Sequence, residues 1–383
     1  MNWQSRSLEE CIERVRYEAK IPRSQFLEAG PYPIVSQEAD FISGFWDKSA
    51  DLFKAGCPVV VFGDHTRVLK YVDFEFVIGA DGVKILKPKP FLDPKYFYYF
   101  LRSVRLKRLG YARHYRLLAK VSVSYPSLPE QRRIAAILDE AFEGIDAAVA
   151  NAEKNLANAR ELFDNYLHSV FSQRNKGWKE KTVGELADYS LGKMLDKQKN
   201  RGALKQYLRN LNVRWFGFDL SDLLEMPFEE KEHERYTAIK GDVLICEGGY
   251  PGRAAIWEDE SPIYFQKAIH RVRFKENFYN KWFLYFLYIS DARDNLCQHF
   301  TGSGIQHLTG QSLHKITLPV PPAQTASKLI ERFDYLFEQT KNLERIYRQK
   351  LIGLTELKHA ILQKAFAGEL SAQPEESTQK AAE

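Results

Sequence analysis

The chain has 383 residues, a formal net charge of +5 and an apolar fraction of 44%, which suits roughly two to three domains with cores of their own. Its mildly basic balance permits a nucleic-acid partner without requiring one. Four scattered cysteines, Cys11, Cys57, Cys246 and Cys297, exclude a clustered zinc site and a disulfide framework and are expected to be reduced packing residues in a cytoplasmic protein.

The N-terminal MNWQSRSLEECIER lacks the apolar core of a signal peptide. A first globular block, residues 1–128, carries strand-like runs at Pro58-Val-Val-Val-Phe62 and Phe74-Glu-Phe-Val-Ile78, with a turn signal at Asp81-Gly82. A short aromatic helix follows at Pro94 to Arg102, and its aromatic residues are read as core. The first long helix, residues 129–175, opens at Pro129-Glu130, a favourable first turn. Apolar or small residues then recur in steps of three and four: Ile134, Leu138, Ala141, Ile145, Ala148, Ala152, Ala159, Phe163, Tyr166, Val170. That spacing predicts a coiled-coil seam, with Asn155 inside it, ending at Lys176-Gly-Trp178.

A second block, residues 176–320, has strand candidates at Asp242 to Cys246, Arg253 to Trp257 and Ala268 to Phe274. A helix follows at Lys281 to Leu287; the apolar run Trp282 to Ile289 is too short to cross a bilayer. After the Gly/Ser-rich loop Thr301 to Leu308, a second long helix, residues 321–370, starts beyond Pro321-Pro322. Its seam includes Leu329, Phe333, Leu336, Leu343, Leu357 and Ile361. The tail, residues 371–383, has the composition of a disordered segment. About 43 residues of helix span about 64 Å, too long for one small core, so each long helix needs a partner, and the other is at hand.

The chain also repeats itself. Glu161, Leu162, Leu167 and Phe171 match Glu356, Leu357, Leu362 and Phe366 at a constant offset of 195 residues, and Gln131 matches Gln324 at 193. The repeat unit is one globular stretch followed by one long helix.

No phosphate-binding GxxxxGK[ST], HExxH, GxSxG or Asn-Pro-Pro-aromatic motif is present. Asp73, Glu75 and Lys84 resemble a nuclease pattern only loosely and read better as a solvated strand face. Several loops instead combine glycine with basic, amide and hydroxyl side chains. In the first block the candidates for DNA contact are His65, Thr66, Arg67, Arg113, His114, Tyr115 and Arg116. In the second they are Tyr250, Arg253, Gln266, Lys267, His270, Arg271, Ser303, Gln306 and His307. Arginine forks onto guanine and glutamine onto adenine in the major groove, and glycine lets backbone approach phosphate. At the offset of 193, Arg113-His114 aligns with Gln306-His307, so one position carries different readers.

The opening Leu128-Pro-Glu-Gln-Arg-Arg-Ile-Ala-Ala-Ile-Leu138 resembles the helix entry of specificity subunits of type I restriction–modification enzymes. The ending Glu356-Leu-Lys to Gly368 and the loop Gly302-Ser-Gly-Ile-Gln-His-Leu308 resemble them too. The second copy departs with Pro322-Ala-Gln-Thr. The resemblance implies an α+β fold: two globular target recognition domains separated by two long antiparallel coiled-coil helices, with a pseudo-two-fold internal repeat. It further implies that each domain reads half of a bipartite, asymmetric double-stranded DNA target. The helices would act as a ruler and dock two methyltransferase (M) subunits; Ile134, Leu138, Ile145, Phe163, Phe333, Leu336, Leu343 and Leu357 are the candidates. Restriction/translocase (R) subunits would join them in a prokaryotic cytoplasm. No cofactor is expected on this chain: S-adenosylmethionine belongs to the M subunits, ATP and Mg to the R subunits, and the chain itself is not an enzyme. A stand-alone DNA-binding regulator with a coiled-coil spacer is the alternative.

Overall fold

The computed structural model describes residues 3–371 apart from 18, 81, 108, 111, 174–176 and 197. The expected turn residue Asp81, the helix end at Lys176 and the tail beyond Ser371 lie outside the described residues. The chain divides into two compact units, residues 1–153 with 349–383, and residues 154–348. The long helices run Leu128–Ser172 and Ala323–Phe366, so each unit takes half of each helix.

In the first unit the chain enters on Gln4–Ser7, paired antiparallel with the exit strand Ser122–Tyr125. A capping box, Ser7 with Glu10, then starts a one-turn helix, satisfying backbone donors that have no partner of their own. Two four-stranded sheets follow. One has the order Ile12–Glu13, Val83–Pro88, Val59–Gly63, Leu69–Val72; the other Gly44–Trp46, Tyr32–Val35, Phe76–Ile78, Leu52–Phe53. The strand Val59–Gly63 is buried throughout, as its unbroken apolar run requires of a central strand. The helix Pro94–Ser103, capped by Asp93, lays Tyr96, Phe97, Phe100 and Leu101 into a core shared with Ile134, Leu138, Phe142 and Ile145 of the first long helix.

The second unit repeats this plan. Gln4 and Tyr125 correspond to Lys179 and Val320, offsets of 175 and 195, in identical register, and the capping box recurs as Thr182 with Glu185. The two sheets recur in the same order. The Tyr99 hydroxyl and Lys95 ammonium both reach Asp139, at 2.5 and 3.2 Å; Tyr285 and Lys281 reach Asp334, each at 2.7 Å. Tyr96 donates to the Ser124 carbonyl as the Trp282 indole donates to that of Pro319, both at 2.8 Å.

The offset through the exit strand and long helix is therefore 195 throughout, which corrects the pairing of Gln131 with Gln324. Gln131 is fully buried and bonds the Asp93 amide and the Phe91 and Pro126 carbonyls. Its true counterpart is Ala326, also fully buried, while Gln324 is exposed.

Within each unit the long helices run antiparallel. Arg133 meets the Leu370 carbonyl and Asp146 pairs with Lys358 in the first unit. In the second, Arg160 meets Glu344 and Phe171 packs on Phe333. The repeat near Phe171 and Phe366 has a spatial meaning. Phe366 packs on Tyr96 and Phe100 of the first unit, and Phe171 packs on Trp282 and Phe286 of the second.

The expected seam is corrected in one respect. Much of the apolar face of each helix closes a domain core rather than only a helix–helix contact. Ile134, Leu138, Ile145, Phe163 and Phe333 are at most 6% exposed, so none is available to a docking subunit. Leu336 is half-buried, and only Leu343 and Leu357 of those candidates are exposed. Asn155, expected inside the seam, is exposed. All four cysteines are free; Cys11 and Cys246 are buried, whereas Cys57 and Cys297 are exposed, contrary to a packing role.

Candidate nucleic-acid interface

In the first unit, residues 63–68 form a tight hairpin closed by Gly63 N to Val68 O and Arg67 N to Gly63 O, at 2.8 and 2.7 Å. Arg67 pays for the turn with a φ of 64°, a conformation that costs a residue bearing a Cβ, and its guanidinium reaches the Leu106 carbonyl. Buried Asp64 organises the neighbouring loops. Its amide donates to Gly82 O, its carboxylate accepts from Tyr115 N, and its carbonyl accepts from both His114 N and His114 Nδ1. The Leu109 amide donates to His114 Nε2, which leaves Nδ1 as the ring's donor to Asp64. Gln37 braces the hairpin, accepting from His65 N through its side chain and from the Thr66 hydroxyl through its carbonyl.

The second unit closes a hairpin two residues longer with the same pair of bonds. Cys246 N bonds Arg253 O and Gly252 N bonds Cys246 O; Gly252, at φ 86°, takes the place of Arg67 without strain. Asn210 replaces Gln37, donating to Gly248 O while its own carbonyl accepts from Arg253. Leu308 N donates to Glu247 O, as His114 N donates to Asp64 O. His114 is thus equivalent to Leu308, one residue away from the alignment at 193. His307 packs on Gly248, where an added Cβ would lie 2.9 Å from its Nδ1.

The loops named from sequence do converge at one end of the strand Val59–Gly63 and of its counterpart Val243–Cys246, but the candidates play two roles. Thr66, Arg113, Arg116, Tyr250, Lys267, Ser303 and Gln306 are exposed there, and His65, Arg67, Tyr115, Gln266 and His307 are half-buried. His114, His270 and Arg271 are corrected to structural residues, at most 8% exposed. His270 donates from Nε2 to the Leu308 carbonyl, and Arg271 donates to those of Glu234 and Thr237. Half-buried Arg253 lies over the Tyr250 ring, whose hydroxyl is tied to Asp291. Sequence reading does not point to Gln37 and Asn210; a lone amide carries no signal until the hairpins are superimposed. Asp73 and Glu75 lie exposed in a turn rather than on a strand face.

Burial holds the His270 imidazole below its ordinary pKa, despite the Leu308 bond, and its Nδ1 has no partner among the described residues. A depressed histidine leaves the unfolded state with more bound protons once pH falls below about 6.5, so folding weakens there and is unaffected above it. Between pH 7.5 and 5.5 the second unit should lose stability, and His270→Gln should remove part of that loss in urea titrations. An equal pH slope in the variant would contradict this assignment.

The family model for the type I restriction modification DNA specificity domain matches residues 1–155 and 175–351. The chain belongs to that family. Among specificity subunits, that of the StySPI type I restriction enzyme of Salmonella potsdam is 23% identical over 335 residues, 81% of this chain and 71% of that protein. The EcoKI specificity subunit of Escherichia coli K12 is 24% identical over 279 residues, 66% of this chain and 58% of that protein. A chain from a structure describing assembly and conformational transition of the type I restriction–modification system has a TM-score of 0.72 at 16% identity, covering 95% of this chain and 97% of that one. The HsdS subunit of Thermoanaerobacter tengcongensis has a TM-score of 0.52 at 18% identity, covering 96% and 97%. The specificity-subunit fold is thus shared along nearly the whole chain. No helix among the described residues is long and apolar enough to cross a membrane.

Proposed function

We propose that this specificity subunit reads a split, asymmetric double-stranded DNA target, one half-site per unit. The observation that carries the reading is a frame kept in identical register across both units while the loops at one sheet end differ in chemistry. The first unit presents Arg105, Lys107, Arg113 and Arg116 there; the second presents Tyr250, Lys267, Ser303, Ile305 and Gln306. Phosphate contacts by the basic residues supply affinity, and base-edge contacts supply specificity. Two M subunits dock on the exposed helix faces that include Leu343 and Leu357, and R subunits join them in a prokaryotic cytoplasm. Methyl transfer from S-adenosylmethionine and ATP- and Mg-dependent cleavage belong to those partners, so this chain is non-catalytic.

The long helices act as the ruler, limiting the half-sites to about 19 base pairs apart at about 3.4 Å per pair. The test is to insert one helical turn, about 5.4 Å, at paired positions of both helices and map methylated sites in a host supplying the M subunits. The spacer should lengthen by about one or two base pairs with both half-sites unchanged. An unchanged spacer contradicts the ruler.

A further inference from the structure

The tip of the loop 301–307 is closed by its own backbone. Thr301 and His307 close it with two backbone bonds, Thr301 N to His307 O at 2.8 Å and His307 N to Thr301 O at 2.9 Å. Gly302, at φ 108°, makes the turn; a Cβ there would meet the Ile305 carbonyl at 2.3 Å. The loop is anchored behind the tip, where Leu308 bonds Glu247 and His270. The result is a short, closed projection with Ile305 at its end.

Ile305 is 75% exposed, more than any other large apolar residue described. Covering this side chain on binding would remove apolar surface from water. No charge lies between Thr301 and Gln306, and Gln306 beside Ile305 is exposed as well. The preceding loop in the first unit is instead basic, with exposed Arg105, Lys107 and Arg113. In the major groove an A·T pair is the one that offers both an adenine edge suited to a forked amide and an apolar thymine methyl.

We propose that Ile305 and Gln306 together read A·T pairs in the half-site of the second unit. The Gln306 amide forks onto adenine N6 and N7, and Ile305 covers the C5 methyl of a thymine in the same or the adjacent pair. This rests on the DNA-reading function proposed above and assigns the base class that one of its readers takes.

The test begins with the full chain and its M subunits selecting duplexes from a random library. Each thymine of the selected target is then replaced by deoxyuridine, which removes the C5 methyl alone. At one or two positions in one half-site, the wild type should bind about fourfold more weakly, the worth of one buried methyl group. Ile305→Ala, altered at an exposed tip, should lose that sensitivity. Gln306→Ala should lower the preference for A·T over G·C there by about tenfold, within the range of one forked contact. Deoxyuridine that changes nothing in the wild type, or that weakens Ile305→Ala equally, overturns the inference while target selection stands. A complex that selects no sequence overturns the DNA-reading function and this inference with it.

Discussion

Phe333→Ala is expected to destabilise the second unit by about 3–5 kcal/mol, the range for truncating a fully buried aromatic residue. Phe333 has no exposed surface and sits where the second long helix, the first long helix and the aromatic helix Phe278–Ala292 meet. Its ring stacks on Trp282 at 5.8 Å and meets Tyr285 at 5.2 Å, Phe171 at 5.7 Å and Tyr166 at 6.0 Å. These neighbours belong to several elements, so the cavity cannot close by moving one of them. Leu343→Ala, at an exposed position of the same helix, should stay within about 0.5 kcal/mol yet weaken co-purification of the M subunits. Equal stability losses in urea would contradict the division of the helix into a core face and a docking face.

Asp242→Ala should cost on the order of 3 kcal/mol, as expected when one partner of a buried pair is removed. Asp242 is 1% exposed. It accepts from Arg273 Nε at 2.8 Å and Nη2 at 2.7 Å, and from the Ile239 amide at 2.8 Å. Truncation strands a half-buried guanidinium and a backbone donor together. The equivalent of Arg273 in the first unit is Lys87, which pairs with Glu13 at 2.9 Å with both side chains more than a quarter exposed. Glu13→Ala should therefore cost about 1 kcal/mol at most. Thermal denaturation of the two variants checks the contrast, and a larger loss at Glu13 would refute it.

Long elements were legible in the sequence because their signals are long. The three-and-four spacing after Pro129 and after Pro321-Pro322 marks helices found at Leu128–Ser172 and Ala323–Phe366. Unbroken apolar runs mark the central strands Val59–Gly63 and Val243–Cys246. Apart from Phe76–Ile78, which falls within the expected run Phe74 to Ile78, the strands of the second sheet of each unit escaped such reading, because they are two to six residues long and several mix exposed with buried positions. Helical spacing shows that a face is buried, but not whether a helix or a domain covers it, which is why Leu138 and Phe333 read as seam or docking residues. The reading loops present a related problem. His114, His270 and Arg271 are of the residue types that contact DNA, yet here their donors go to main-chain carbonyls inside the fold. Loops of unequal length also shift the repeat offset from 175 at the entrance strands to 195 at the exit strands, so no single alignment brings equivalent loop residues together.

In the proposed function one frame carries two independent readers. The most direct test is methylome sequencing of a host that carries this chain, or its Gln306→Ala/His307→Ala variant, together with the M subunits. The wild type should mark two different half-sites separated by a fixed run of unspecified bases, and the variant should relax one half-site and leave the other half-site and the spacer as they were. A single continuous site, or relaxation of both halves together, would contradict the account.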